Sequence, residues 1–341
     1  MMKNLILTRR DIIHAVLIIA GIAAILYGAT WLRVSPGDIT TAPHQALYRL
    51  SLSRLRQGGS IAGVSGQMSY RIEDACDGWN VSQKFSMQFV YPESGAAWLV
   101  SDYSTFESKD GKRFQFATRR LKDGQVTEEI LGKAQRSADG SGTIEYQRPR
   151  VASVALPADV LFPNQHTLKI LEAAASGQKI LFVPLFDGSD LSLGTDVNNV
   201  MMPAKKPYIA KVEDITPIKP MPMDDGDDDS DAAGAPPAQN LTPMTADALN
   251  HSPLINGTRA WRVRMAFYPR PDAIKIQDDN AADPDAGNDD AAADDQDLIP
   301  DYEMTMILHS NGVVSSFTLD YPDFSLDADL LSINEVARNS C

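Results

Sequence analysis

Histidine, cysteine and basic charge are all scarce in this sequence. Five histidines occur in 341 residues, at 14, 44, 166, 251 and 309, and no two of them share a metal-ligand spacing. A histidine-built zinc centre is not expected, and no cofactor motif stands in its place. No Gly-x-Ser-x-Gly elbow is present: Gly63-Val64-Ser65-Gly66 lacks the final glycine and runs into a strand pattern. The Gly58–Gly66 stretch has no Lys-Ser/Thr ending, so it is not a phosphate-binding loop. These absences predict a protein without catalytic residues, metal ligands or cofactor.

The net charge of −14 is local. Residues 222–251 hold seven acids and no base, and residues 277–301 hold ten and no base. Outside these tracts the chain is close to neutral and has no basic footprint for nucleic acid. Both tracts are rich in Ala, Asp, Pro and Gly and lack the calcium-loop order of ligands. Such composition buries too little surface to offset ordering entropy, so disordered insertions are expected at 222–256 and 277–300.

One long apolar run occurs, Ala15–Leu32, behind Lys3, Arg9 and Arg10. Its 18 residues are long for a signal peptide and just long enough to span a bilayer. Residues 1–33 are therefore expected to be a signal peptide or a membrane anchor, with 34–42 as a linker. The only plausible cleavage sequence, Thr40-Thr41-Ala42, precedes Pro43. Thr8-Arg9-Arg10-Asp11 also fits a twin-arginine signal, so Sec and twin-arginine export both stand. The positive flank stays inside, which sends the body to the periplasm. If uncleaved, residues 15–32 hold the protein on the inner membrane. In that oxidising compartment the only two cysteines, Cys76 and Cys341, are expected to form a disulfide. Failure of export would leave two free thiols.

The body reads as strand after strand. Tyr48, Leu50 and Leu52 alternate with polar residues, as do Met68, Tyr70 and Ile72. Trp79, Val81, Phe85, Met87, Phe89 and Tyr91 share one face of a longer run. Trp261, Val263, Met265 and Phe267 repeat the period, then Tyr302, Met304, Met306 and Leu308, then Val313, Phe317 and Leu319. A period of two puts one face on a core and the other in water. Arg119, Arg120, Arg262 and Arg264 are expected on the water side. Asp110-Gly111, Asp123-Gly124, Asp139-Gly140, Asp187-Gly188 and Asn311-Gly312 supply hairpin turns. From Pro163 to Ala175 the spacing of Leu168, Leu171, Ala174 and Ala175 becomes helical, and Gly177 ends it. The fold class is all-β: an antiparallel sheet with one apolar face, which must curl on itself or find a cover, and one amphipathic helix to plug it.

Several stretches carry a resemblance. Pro43-His44-Gln45-Ala46-Leu47-Tyr48, Gly66-Gln67-Met68-Ser69-Tyr70 and Ala75-Cys76-Asp77-Gly78-Trp79 come first. Thr105-Phe106-Glu107, Phe162-Pro163 with His166, Phe186-Asp187, and Leu319-Asp320-Tyr321 to Leu326 follow in order. Over residues 43–341, apart from the acidic tracts, the chain resembles the alphaproteobacterial periplasmic cell-envelope-integrity proteins of the EipB type. The resemblance implies a spiral or open-barrel-like sheet of more than ten strands with a helix lodged against it. It implies a Cys76–Cys341 disulfide and a role in maintaining the cell envelope with no established catalysis. The first reading of the chain is therefore a non-enzymatic periplasmic protein that supports envelope integrity through envelope proteins or polymers. A second reading is a carrier or sensor of an acyl chain or lipoprotein, with a lipid or peptide as ligand. Its apolar cavity or core would be lined by Trp79, Phe85, Met87, Phe89, Trp261, Met265 and Phe267.

Overall fold

A computed structural model describes residues 39–56, 61–189, 208–218, 241–269, 300–339 and 341. The N-terminal segment 1–33, most of the linker, and tracts 222–240 and 277–299 lie outside the described residues.

Among the described residues, fourteen strands make one antiparallel sheet. They are β1 (His44–Leu55), β2 (Gly63–Asp74), β3 (Gly78–Tyr91), β4 (Gly95–Ser108), β5 (Arg113–Lys122), β6 (Gln125–Arg136), β7 (Gly142–Arg148) and β8 (Ala152–Leu156). After a helix come β9 (Leu181–Leu185), β10 (Tyr208–Ile218), β11 (Ala260–Pro269), β12 (Tyr302–His309), β13 (Val314–Asp320) and β14 (Phe324–Glu335). The spatial order runs β8 to β1, then β14 to β9. Two meanders therefore meet where β1 pairs with β14, and β8 and β9 are the free edges. The β1–β14 ladder carries register shifts at Leu47/Tyr48 and Leu52/Arg54. Such bulges bend strands and help the sheet curl. Asp123 and Gly124 both have positive φ, 50° and 78°, as the two-residue turn between β5 and β6 requires.

The sheet coils without closing edge to edge. The chain beyond β8 crosses to β9, where Leu161 donates to Pro184 O at 2.8 Å and accepts from Phe186 N at 3.0 Å. Beyond β9, the Tyr103 hydroxyl of β4 donates to Asp187 O at 2.6 Å. Gly188 lies against the Phe116 ring of β5, where a Cβ would overlap it, and has φ +69°. One end of the sheet is thus tucked onto the other arm. Asp187-Gly188 thus has a packing role at the start of the connection between the antiparallel neighbours β9 and β10, in place of a tight turn.

Two apolar cores result. The larger joins the inner faces of β1–β3 and β10–β14 with the helix α1 (Pro163–Ser176). Ile170, Leu171, Ala173 and Ala174 of α1 are buried in it. The smaller joins β5–β8 to Phe162 and Phe186. There Phe162 stacks on Phe114 with centroids 4.8 Å apart, and Phe186 meets Phe116 edge-on at 5.3 Å. Gly177, at φ 78°, caps the helix C-terminus, its N–H bonding to Ala174 O.

Residues 241–256, expected to belong to an insertion at 222–256, are folded against the sheet. Residues 246–250 form a short helix, α2 (Ala246–Asn250), capped by Thr245, whose Oγ1 accepts from Ala248 N at 3.2 Å. Leu249, Leu254 and Ile255 are buried in the main core, and Met244 N donates to Leu331 O at 2.8 Å. Three large aliphatic side chains in seven residues anchor this stretch, whereas the acidic tract before it has none.

Cys76 and Cys341 are joined by a disulfide, with Cα atoms 5.7 Å apart. Cys76 lies in the β2–β3 turn and both residues are at the surface. The bond clips the tail after β14 to a turn only two strands away. The seam between β8 and β9 is elsewhere.

Candidate functional site

Alternate residues of seven strands surround a cavity of about 260 Å³. It lies between the inner face of β1–β5 and that of β12–β13. One wall is apolar: Tyr48, Met68 and Phe85 meet Met304, Met306, Leu308, Phe317 and Leu319. The opposite wall is a polar patch set by register. Gln83 of β3 pairs with Tyr103 of β4, which pairs with Thr118 of β5. Phe85 pairs with Ser101, which pairs with Arg120.

Arg120 corrects the expectation that placed it in water beside Arg119. Phe114, Phe116, Thr118 and Arg120 share the inner face of β5, so Arg119 alone points out. The Arg120 side chain is 14% exposed and pairs with Glu128 of β6 at 2.8 Å through Nη1. Adjacent residues cannot both face water on a strand whose other face is a core. Arg262 and Arg264 are exposed as expected, and Arg264 pairs with Glu303 at 2.9 Å.

Of the seven residues expected to line a cavity or core, only Phe85 borders this cavity. Met87, Phe89, Trp261, Met265 and Phe267 are packed in the main core, all at most 5% exposed. Trp79 is partly exposed at the end of β3, with Lys109 Nζ 5.2 Å from its ring. The signal for the true lining was present. Met68, Met304, Met306, Phe317 and Leu319 all sit on inward-facing strand positions. Sequence alone does not show which inward side chains meet and which leave a gap.

Behind the cavity the inner end of α1 is held by a carboxylate. Glu107 of β4, 2% exposed, accepts from Asn164 N at 2.7 Å and Gln165 N at 2.9 Å. No side chain of Phe162, the residue before the helix, supplies this cap. A charged acceptor suits the positive helix N-terminus. Burial nonetheless pushes the Glu107 carboxyl up to about 7, against the two backbone hydrogen bonds that lower it. His166 is buried on α1, and burial pushes it down to about 4. Burial also lowers His44, whose Nδ1 lies 2.7 Å from Ala42 O. His309 contacts Thr258 Oγ1 at 2.7 Å and Ser315 Oγ at 2.9 Å, and burial takes it down to about 4. Glu107, His44 and His309 are thus engaged by the fold. Among the described residues no three His, Cys, Asp or Glu converge to hold a metal.

A second hollow, about 500 Å³, lies on the outer face of β3–β6 beside Lys84, Asp102, Arg119, Glu129 and Arg148. Its ion pairs include Lys84–Asp102 at 3.5 Å and Arg119–Glu129 at 3.4 Å. All four of these side chains are at least a third exposed, and such pairs are weak in water. The inner cavity is the better candidate site, because burial gives each contact there more value.

A coiled antiparallel sheet around a helix and a ligand-sized hollow defines an open, β-barrel-like protein. The chain belongs to the EipB-like family, whose model matches residues 37–217 and 288–337. It is 24% identical over 297 residues to the cell envelope integrity protein EipB of Brucella abortus (strain 2308). That alignment covers 87% of this chain and 85% of the relative. The crystal structure of a beta-barrel-like protein of domain of unknown function DUF1849 from Brucella abortus superposes with a TM-score of 0.65 and 22% identity. The superposition covers 88% of this chain and 100% of the other.

Proposed function

We propose that this protein supports the integrity of the bacterial cell envelope as a non-enzymatic binding protein of the periplasm. The family relative's name supports the envelope role. The surface disulfide supports an oxidising compartment, because exposed thiols stay reduced in the cytosol. The non-enzymatic reading is supported by the engagement of Glu107, His44 and His309 in caps and turns.

Two ligand classes follow from the sequence: envelope proteins or polymers on the surface, and an apolar chain inside. The cavity beside Met68, Met304 and Met306 favours the second, and it carries the proposal. Its 260 Å³ lies just under the roughly 300–1,000 Å³ of small-molecule pockets, so it suits one apolar chain and excludes a whole phospholipid. Methionine side chains adapt to irregular apolar partners, which suits chains of varied length.

A strain lacking the protein tests the role. It is expected to become sensitive to detergent and to cell-wall antibiotics. The wild-type gene restores tolerance, and a gene carrying Met306→Trp, which fills the cavity, does not. Full rescue by Met306→Trp would place the function on the outer surface and reject the cavity.

A further inference from the structure

The two walls of the cavity differ in chemistry, and the difference specifies a ligand. The wall from β12 and β13 offers only carbon and sulfur. The wall from β4 and β5 offers Ser101, Thr118 and Arg120 in one cross-strand patch. Thr118 is 4% exposed, and its Oγ1 has no hydrogen-bond partner. Four buried hydroxyls among the described residues lack a partner, on Ser69, Ser86, Thr118 and Ser332, and Thr118 is the one that borders the cavity, where a ligand atom could meet it. Arg120 is the only lysine or arginine among the lining residues. Glu128 engages its Nη1 at 2.8 Å, which fixes a guanidinium of five donors at the border of the cavity. Guanidinium recognises a carboxylate through two parallel N–H bonds, and a hydroxyl two residues along the strand on the same face can add a third.

We propose that the cavity selects a single-chain anionic amphiphile, a long-chain carboxylate, with its head on Arg120, Thr118 and Ser101 and its tail along Met68, Met306 and Phe317. This deepens the apolar-ligand reading and rests on it. Binding sets the head on the Arg120 guanidinium and two hydroxyl groups and leaves the tail on the wall that has nothing to hydrogen-bond, while the one carboxylate in the lining, Asp187, is engaged through both oxygens by Ser189. A neutral head would leave part of the guanidinium unused, and a cationic head would face it directly.

Calorimetric titration of the whole protein with dodecanoate, dodecanol and dodecyltrimethylammonium, each below its aggregation concentration, tests the idea. Dodecanoate is expected to bind at least tenfold tighter than dodecanol, and the cation not at all. The double variant Arg120→Gln/Glu128→Gln removes both charges together and so leaves no unpaired one. It is expected to bind dodecanoate and dodecanol equally, with the dodecanol affinity unchanged. Met306→Trp is expected to abolish both. Equal binding of the two amphiphiles by wild type, or a carboxylate preference that survives in the double variant, would overturn the head-group assignment while sparing the apolar-ligand reading. No binding of any of the three by the folded wild-type protein, or undiminished binding by Met306→Trp, would overturn both.

Discussion

At the scale of single residues, Glu107 stands out because two demands on it conflict. Its charge suits the helix N-terminus, yet its burial raises its pKa from 4.5 to about 7. A raised folded-state pKa contributes stability at low pH that is lost as pH climbs through the folded value. Two and a half units correspond to about 3 kcal/mol. His166 and His309 act in the opposite direction. Their folded values near 4 lie below the ordinary 6.5, so their contribution is present above pH 6.5 and is lost toward pH 4. In the wild type the two effects partly cancel. Glu107→Gln is therefore expected to gain stability more steeply than wild type from pH 4.5 to pH 7. The gap between the two proteins should narrow by up to about 3 kcal/mol over that range. Urea melts at several pH values measure it, and a gap that widens with pH would show that Glu107 is stabilised as the anion. Gly188 makes a second residue-scale case. Its positive φ and its contact with Phe116 leave no room for a side chain, so Gly188→Val is expected to cost at least about 2 kcal/mol. An unchanged melting temperature would mean that the tucked end of the sheet does not bear on stability.

At the scale of elements, α1 is the plug. Leu171 is fully buried between the helix and the sheet, so Leu171→Ala should cost about 2–5 kcal/mol. A loss under 1 kcal/mol by denaturant melting would place the helix outside the cooperative core. The exposed edges are managed locally. Pro184 lies in edge strand β9, where a missing N–H removes no bond to β10, and Leu161 covers part of the same edge. The strands were legible because their period of two is driven by burial, and the hairpins because Asx-Gly pairs adopt positive φ. The helix was legible from its spacing and its glycine stop, and its observed span extends only to Ser176. Less legible was anything decided by contact between distant elements. Glu107 as the cap of a helix 57 residues away has no local signature. Arg120 could have been placed, since it shares parity with Phe114 and Phe116, but its neighbour Arg119 masks the alternation. The buried end of the acidic stretch, Leu249 to Ile255, was hidden by averaging composition over too wide a window.

At the scale of the whole molecule, coiling explains how one sheet of fourteen strands has two cores and a cavity bordered by the larger one. The disulfide acts chiefly on the unfolded chain. It closes a loop of 265 residues, worth roughly 5 kcal/mol as an upper bound in the loop-entropy model. It joins parts that the β14–β1–β2 ladder already brings together, so little new native contact depends on it. Reduction, or Cys76→Ser, is therefore expected to lower the melting temperature by several degrees while leaving the circular dichroism spectrum unchanged. A lost spectrum would mean that the bond holds the coil itself, and an unchanged melt that it is energetically idle.

On the proposed function, the coil holds an apolar chain. Native mass spectrometry of the protein recovered from its own envelope fraction tests it most directly. The expected spectrum is that of an oxidised chain carrying one extra mass, released as a single-chain amphiphile and missing from Met306→Trp. A bare chain in both proteins would contradict it and move the function to the outer surface.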